Sequence, residues 1–211
     1  MISVKTAVVV VDMINDFVTG VFKSERVIKI IPNIKRLLEF ARKQGVPVVY
    51  ATDAHLPNLD SEFEVWGPHA VKGSWGAEII DELKPEKGDF RVLKRKYSAF
   101  QGTDLDMLLR ELKIDRLILT GVVTDICVQH TAADAFFRGY KIMIPKDCVE
   151  ALDASTQEAA IKFLIKVYRV EITTTNELMK KKWSWRGKAE TTKHEFDFVN
   201  ENNMSMLTDL Y

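Results

Sequence analysis

The sequence of 211 residues has only two cysteines, Cys127 and Cys148, and no apolar run long enough to cross a membrane. Two cysteines cannot form a disulfide framework, which excludes the small disulfide-stabilised proteins. An excess of charge is also absent, because 30 Lys and Arg balance 30 Asp and Glu, so we expect neither nucleic acid nor membrane as a partner. Since no basic segment and cleavage site follow Met1, we expect a cytoplasmic protein without a signal peptide.

The sequence does contain a regular alternation of short apolar segments and segments with helical spacing. The apolar segments predict strands at residues 4–11, 46–51, 90–93, 116–120, 141–144 and 170–173. Helical spacing predicts helices at residues 26–43, 77–83, 104–112 and 154–167, and another that starts near Thr124 and contains Cys127 in its first turn. This alternation is typical of βαβ units and predicts an α/β fold, a three-layer α/β/α sandwich around a parallel sheet.

The C-terminal part of the chain differs in composition from the rest. Residues 1–179 suit one domain, whereas residues 180–211 begin with three lysines and two tryptophans and continue into a polar stretch. We expect residues 180–211 to be an extension that packs on a neighbouring subunit, with a partly ordered terminus as the alternative.

One stretch suggests a nucleophile. Residues 116–120 predict a buried strand, Gly121 permits a turn, and Thr124 and Asp125 are typical of a helix start. Cys127 then lies in the first helical turn, where backbone N–H groups and the helix dipole favour a thiolate. The alternative is a buried cysteine without a chemical role.

Polar residues also follow other predicted strands, at the edge where parallel sheets bind ligands. Asp12 ends the first strand and Lys94 the third, while Cys127 follows the fourth. A carboxylate can take the thiol proton and return it to a leaving amine, and a lysine stabilises both ions. Backbone N–H groups of residues 122–127 would form an oxyanion hole. No histidine is placed to act as the base, and the alternative roles are a helix cap for Asp12 and a surface charge for Lys94.

A third set of residues suggests a metal site. Asp53 and His55 lie two apart at a strand end and project to the same side, and His69 closes the loop that follows. A carboxylate with two imidazoles suits an open Zn²⁺ or Fe²⁺ site, and Mn²⁺ is a further candidate. Glu62 or Glu64 would add a ligand. The alternative makes Asp53 a turn former and both histidines loop residues bonded to the backbone.

Several motifs in order carry a resemblance to a known family. They are Val-Val-Asp12-Met-Ile-Asn-Asp-Phe17, Asp53-Ala-His55, Trp66-Gly-Pro-His69, Lys94-Arg-Lys-Tyr97-Ser-Ala-Phe100 and Gly121-Val-Val-Thr-Asp-Ile-Cys127. Over about residues 5–175 the chain resembles the isochorismatase-like cysteine hydrolase superfamily and is most similar to its nicotinamidases.

The resemblance implies a six-stranded parallel sheet and a catalytic triad of Asp12, Lys94 and Cys127. It also implies a cis peptide at Val122–Val123, with the N–H groups of Val123 and Cys127 as the oxyanion hole. The superfamily often forms dimers to tetramers, so a homo-oligomer is expected.

The metal-site residues favour the nicotinamidase branch, in which a divalent metal, here expected to be zinc, holds the pyridine nitrogen. The expected reaction is deamidation of nicotinamide to nicotinate and ammonia through a thioester, in a pocket formed by Phe17, Trp66 and Tyr97. Ala99 and the short spacing from Lys94 to Tyr97 look like the N-carbamoylsarcosine amidase branch. Hydrolysis of a carbamoyl or ureido amide is therefore the alternative, and an inactive binding protein is a distant one.

Overall fold

The centre of the computed structural model, which describes residues 4–181, is a seven-stranded sheet in which all neighbouring strands are parallel. The strands are β1 (Thr6–Val11), β2 (Val48–Asp53), β3 (Phe90–Lys94), β4 (Arg116–Val122), β5 (Lys141–Pro145), β6 (Val149–Glu150) and β7 (Glu171–Thr173). Six of them follow the order β3-β2-β1-β4-β5-β7. The short strand β6 pairs with the end of β4, at Gly121 and Val122, beyond the residues of β4 that pair with β5. This confirms the predicted α/β sandwich. The predicted count of six strands is wrong because it omits β6, whose two residues are too few to show a pattern in the sequence.

The described part of the chain contains seven α-helices, of which six lie between strands and the last follows β7. They are α1 (Asn15–Val18), α2 (Glu25–Lys43), α3 (Glu62–Trp66), α4 (Leu105–Glu111), α5 (Gln129–Phe137), α6 (Ala154–Tyr168) and α7 (Thr175–Lys180), and a π-helical turn, Thr124–Val128, precedes α5. The helix predicted at residues 77–83 is wrong: two 3₁₀ turns, Trp75–Ala77 and Asp81–Leu83, flank the three residues 78–80. Ile79 is extended because it forms a β-bridge with Ile14.

The sheet separates two apolar cores because successive side chains of a strand point to opposite faces. Val8 and Val10 of β1 face the core under α2 and α7, and Val9 and Val11 face the core under α4, α5 and α6. All six residues of β1 are buried, as expected for a central strand covered on both faces. This rigid centre fixes the positions of the residues that follow each strand.

Within residues 4–181, no helix is both long enough and apolar enough to cross a membrane. Residues 182–211, which make up nearly all of the predicted C-terminal extension, lie outside the described part of the chain. The packing of that extension on a neighbouring subunit stays a prediction.

Candidate active site

Four adjacent strands bring the predicted catalytic residues to one edge of the sheet. In the order β3-β2-β1-β4, Lys94 ends β3, Asp53 ends β2, Asp12 follows β1, and Cys127 follows β4. The register of β2 and β3 places Asp53 directly beside Lys94. All four residues are buried, so their charges interact with little screening by water.

The Lys94 ammonium is the centre of this cluster. Its Nζ lies 2.7 Å from Asp12 Oδ2, 2.7 Å from Asp53 Oδ1 and 3.5 Å from Cys127 Sγ. The backbone N–H of Asp53 donates a hydrogen bond of 2.7 Å to the other oxygen of Asp12. One cation therefore compensates two buried carboxylates and contacts the thiol.

The ionisation of these groups follows from burial and mutual charge. Burial, and then the neighbouring Asp53 carboxylate, raise the pKa of Asp12 to about 7, although Lys94 opposes the shift. Burial acts to lower the pKa of Lys94, but Asp12 and Asp53 outweigh it and raise that pKa well above its ordinary value. Lys94 is thus a permanent cation, and Asp12 can both accept and release a proton near neutral pH.

Two opposing effects act on the ionisation of Cys127. Burial raises the pKa of its thiol well above the ordinary value, although the Lys94 ammonium acts in the opposite direction. Desolvation thus acts against the thiolate that a helix N-terminus favours. The Lys94 ammonium contacts both this thiol and Asp12, the carboxylate that can accept its proton.

The backbone between β4 and Cys127 is specialised. Gly121 has a φ of 99°, and a Cβ atom there would lie 1.9 Å from the carbonyl oxygen of Val11. The next peptide bond, Val122–Val123, is cis. The carbonyl of Val123 then accepts hydrogen bonds from the N–H groups of Ile126 and Val128, which holds the turn that carries Cys127.

A second cluster lies beside the first. Asp53, His55, Glu62 and His69 are all buried and offer ligand atoms within 4.8 Å of one another. Of the two glutamates considered as a further ligand, Glu62 belongs to this cluster, whereas Glu64 is exposed and outside it. Asp53 belongs to both clusters, because Oδ1 binds Lys94 while Oδ2 lies 3.7 Å from His55 Nε2.

The donors of this second cluster fit a divalent metal. His55 Nε2 is buried without a hydrogen-bond partner, which is costly unless a cation binds it. Burial raises the pKa of Glu62, and the Asp53 carboxylate raises it further because the two negative charges repel each other. A bound cation would relieve this repulsion. Two imidazoles and two carboxylates suit Zn²⁺, and Fe²⁺ or Mn²⁺ accept the same donors.

The Nδ1 atoms of both histidines are occupied by other partners. His55 Nδ1 lies 3.1 Å from the carboxylate of Asp60, and His69 Nδ1 lies 2.8 Å from the carbonyl oxygen of Gly67. This pattern is typical of metal ligands, in which a second group orients each ring. Sequence reasoning missed Asp60, although its place five residues after His55 was an available signal.

One pocket contains Cys127 together with residues of the second cluster. Its lining residues are Phe17, Phe22, Asp53, Glu62, Trp66, His69, Tyr97, Val123, Ile126, Cys127 and Leu152. The three predicted aromatic residues are all present, and the Trp66 ring nitrogen donates a hydrogen bond of 2.9 Å to the Tyr97 hydroxyl. Sequence reasoning missed Phe22, Ile126 and Leu152, which no local pattern connects to the site.

The fold is a parallel α/β sheet, and a buried cysteine, a lysine and two carboxylates lie at its carboxyl edge, where such sheets bind ligands. This combination indicates a hydrolase with a cysteine in its active site. The chain belongs to the isochorismatase family, since the family profile described as "Isochorismatase domain" matches residues 6–177.

The comparisons include relatives with different substrates. N-carbamoylsarcosine amidase from Thermoplasma acidophilum is 40% identical with a TM-score of 0.77, over 82% of this chain and 97% of that chain. Nicotinamidase/pyrazinamidase PncA from Bacillus subtilis is 32% identical with a TM-score of 0.76, over 80% of this chain and 99% of that chain. Pyrazinamidase of Pyrococcus horikoshii in complex with zinc is 28% identical with a TM-score of 0.74, over 81% and 99%. Ureidoacrylate amidohydrolase RutB from Caulobacter segnis is 29% identical, over 81% and 82%.

Proposed function

We propose that this protein is a metal-dependent amidase that converts nicotinamide to nicotinate and ammonia. The observation that carries the proposal is the buried cluster of Asp53, His55, Glu62 and His69, which opens into the same pocket as Cys127. In such a reaction a metal would hold the ring of the substrate while the thiol attacks the amide of the same substrate. The metal ligands and the thiol must therefore lie close together in one site.

The first half of the reaction forms a thioester. Asp12 takes the proton of the Cys127 thiol as the sulfur attacks the amide carbon, and the carbonyl oxygen becomes an oxyanion. The backbone N–H groups of Val123 and Cys127 are the proposed donors to that oxyanion. Asp12 then gives the proton to the amide nitrogen, the carbon–nitrogen bond breaks, and ammonia leaves.

The second half releases the acid. Asp12, ionised again, takes a proton from a water molecule that attacks the thioester carbon. The carbon–sulfur bond breaks, and the proton returns to the sulfur of Cys127. Lys94 is fixed between Asp12 and Asp53. Its positive charge stabilises the negative charge that alternates between Asp12 and the sulfur of Cys127 during the reaction.

The metal-binding residues hold the other end of the substrate. Asp53, His55, His69 and Glu62 would bind the divalent ion, zinc being the first candidate. When bound, that ion supplies a Lewis acid for the ring nitrogen of nicotinamide. Burial lowers the pKa of His69, which favours the neutral imidazole that binds metals.

The pocket wall favours a flat and neutral substrate. Among the described residues, its lining includes the aromatic rings of Phe17, Trp66 and Tyr97 but no lysine or arginine. Asp53 and Glu62 are the carboxylates that line it. A neutral pyridine amide suits such a wall better than a carboxylate-bearing substrate, which needs a cationic partner.

A second candidate is a metal-independent amidase that acts on a carbamoyl or ureido compound. It is favoured by the 40% identity with the T. acidophilum N-carbamoylsarcosine amidase and by the similarity to RutB. An inactive binding protein is less favoured, because Asp12 and Cys127 both contact the Lys94 ammonium in an arrangement suited to proton transfer.

One experiment separates the candidates. Protein purified without added metal is analysed for its elements, and ammonia release is measured with nicotinamide, N-carbamoylsarcosine and ureidoacrylate, each with and without a chelator. Bound zinc and chelator-sensitive hydrolysis of nicotinamide support the proposal. Metal-free protein that hydrolyses a carbamoyl or ureido compound at an undiminished rate would establish the second candidate. A homo-oligomer and a cytoplasmic location stay predictions.

A further inference from the structure

The Asp60 carboxylate lies behind His55, on the side away from the proposed metal. We propose that Asp60, itself held by Arg95, is a positioning residue that orients His55 and sets the affinity of the site for zinc. This inference rests on the proposed function, because it assumes that the cluster of Asp53, His55, Glu62 and His69 binds a metal.

The first step of the argument is the contact between Asp60 and His55. Asp60 Oδ2 lies 3.1 Å from His55 Nδ1 and also accepts a hydrogen bond of 2.8 Å from the backbone N–H of Leu56. Both Asp60 and His55 are buried. A buried carboxylate at Nδ1 keeps the ring proton there, which leaves the lone pair of Nε2 available for a metal.

The second step is the restraint on Asp60 itself. Arg95 Nε lies 3.0 Å from both carboxylate oxygens, and the guanidinium also donates to Oδ1 through a second nitrogen. A guanidinium fork fixes the plane of a carboxylate in a way that a lysine ammonium does not. Asp60 therefore has a defined orientation, and its contact with His55 Nδ1 restrains the orientation of the imidazole ring.

The third step is the place of Arg95 in the chain. Arg95 directly follows Lys94 at the end of β3, so one strand end carries both the cation of the Cys127 cluster and the cation that holds Asp60. The end of β3 therefore supports both clusters, the first directly and the second through Asp60. Asp60 is not among the partners of the Lys94 ammonium, which are Asp12, Asp53 and Cys127.

The two histidines are not equivalent in this respect. His69 Nδ1 has a neutral partner, the carbonyl of Gly67, whereas His55 Nδ1 has a charged one. A carboxylate partner makes an imidazole a stronger ligand than a carbonyl partner does. His55 is therefore the ligand whose strength depends on a side chain that can be substituted.

The test measures zinc affinity without substrate or turnover. Full-length metal-free protein competes with a chromophoric chelator for zinc, and the dissociation constant is compared among wild type, Asp60→Asn, Arg95→Lys and Arg95→Met. Loss of such a partner typically weakens metal binding about 10- to 100-fold, which is the expectation for Asp60→Asn. Arg95→Met should weaken binding less, and Arg95→Lys should recover part of that loss, since it keeps the charge without the fork.

The matched control is Asp89→Asn. Asp89 is half-buried and its carboxylate is also held by an arginine, Arg42, with Nη2 at 2.7 Å, but it lies outside both clusters. This variant should lose stability and keep wild-type zinc affinity. If Asp60→Asn prevents folding, the two Arg95 variants carry the comparison, since both retain Asp60.

The outcomes are distinct. Weaker zinc binding in Asp60→Asn and Arg95→Met, with unchanged binding in Asp89→Asn, supports the positioning role. Wild-type affinity in the Asp60 and Arg95 variants, or an equal loss in the control, would overturn that role while the proposed function stands. Wild-type protein that binds no zinc would contradict the metal site itself.

Discussion

Lys94 Nζ lies 3.5 Å from Cys127 Sγ, and both side chains are buried. The same ammonium contacts both Asp12 and Asp53, so one cation connects the proposed nucleophile, the proposed base and a proposed metal ligand. This sharing explains why the two clusters occupy one pocket.

The first prediction concerns the nucleophile. Cys127→Ala should reduce hydrolysis at least about 10⁴-fold, because residues that act as one catalytic unit lose nearly all of their effect when one is removed. The fold should persist, since the substitution deletes a single buried atom. Steady-state ammonia release and circular dichroism measure these two properties.

Cys148→Ser is the matched control for that substitution. The Cys148 thiol is buried 3.0 Å from the Thr175 hydroxyl, which a serine can also contact, and it is not among the residues that line the pocket. Activity near that of wild type is expected. Retained activity in Cys127→Ala, or equal losses in both variants, would contradict the assignment of Cys127 as the nucleophile.

The second prediction concerns pH. Asp12 must be ionised to accept the thiol proton, and its pKa is raised to about 7, so kcat/KM should fall as pH drops below about 7. Lys94 lowers the pKa of Asp12, and Lys94→Met should therefore raise that pKa further. The acidic limb of the pH–rate profile should move to higher pH while the maximal rate falls.

Lys96→Met controls for the loss of one positive charge, because Lys96 is exposed and lies two residues further along the chain. Its acidic limb should coincide with that of wild type. A full rate and an unshifted profile in Lys94→Met would show that this ammonium has no part in the reaction.

The sequence was sufficient to predict the fold because its signals are local. The run of buried β-branched residues in β1 and the helical spacing of α2 each appear within a few residues. Alternation of such segments limits the topology to a parallel sheet. The short strand β6 and the 3₁₀ turns around Ile79 were missed, because contacts with distant strands and loops decide their conformation.

The third prediction concerns the turn before Cys127. Gly121→Ala should destabilise the protein by about 1–3 kcal/mol more than Gly88→Ala, because its Cβ would overlap the backbone of Val11. Both glycines have a φ near 100°, but the space around Gly88 is open, so Gly88→Ala carries only the conformational cost of about 1–2 kcal/mol. Urea denaturation measures both values. Equal losses would show that the close approach to Val11 is unimportant.

The site was predictable in its residues but not in its chemistry. Asp12, Asp53, Lys94 and Cys127 stand out because each interrupts or follows an apolar strand. The shared use of Asp53 depends on the pairing of β2 with β3, and the raised pKa of the Cys127 thiol depends on burial, which are tertiary properties. Asp60 and Arg95 meet across 35 positions of the chain, so no motif contained their contact.

The fourth prediction concerns the pocket wall. Tyr97→Phe removes the acceptor for the Trp66 ring N–H, a hydrogen bond of 2.9 Å. A bond of this kind contributes about 0.5–1.5 kcal/mol, so the KM for nicotinamide should rise about 2- to 12-fold as Trp66 loses its fixed position. The kcat should change less. Tyr168→Phe, in a separate aromatic cluster, should leave both constants unchanged, and a similar KM in the two variants would remove this role for Tyr97.

The central claim, a thioester on Cys127 formed from nicotinamide, is tested most directly by mass spectrometry of the protein quenched in acid during turnover. Wild-type protein supplied with zinc should carry one nicotinoyl group, and peptide mapping should place it on Cys127. Asp12→Asn should show little of this adduct, since the proton transfer that allows attack is lost. A nicotinoyl group on Cys148 or any other residue, or rapid release of ammonia from nicotinamide by Cys127→Ala protein, would contradict the account.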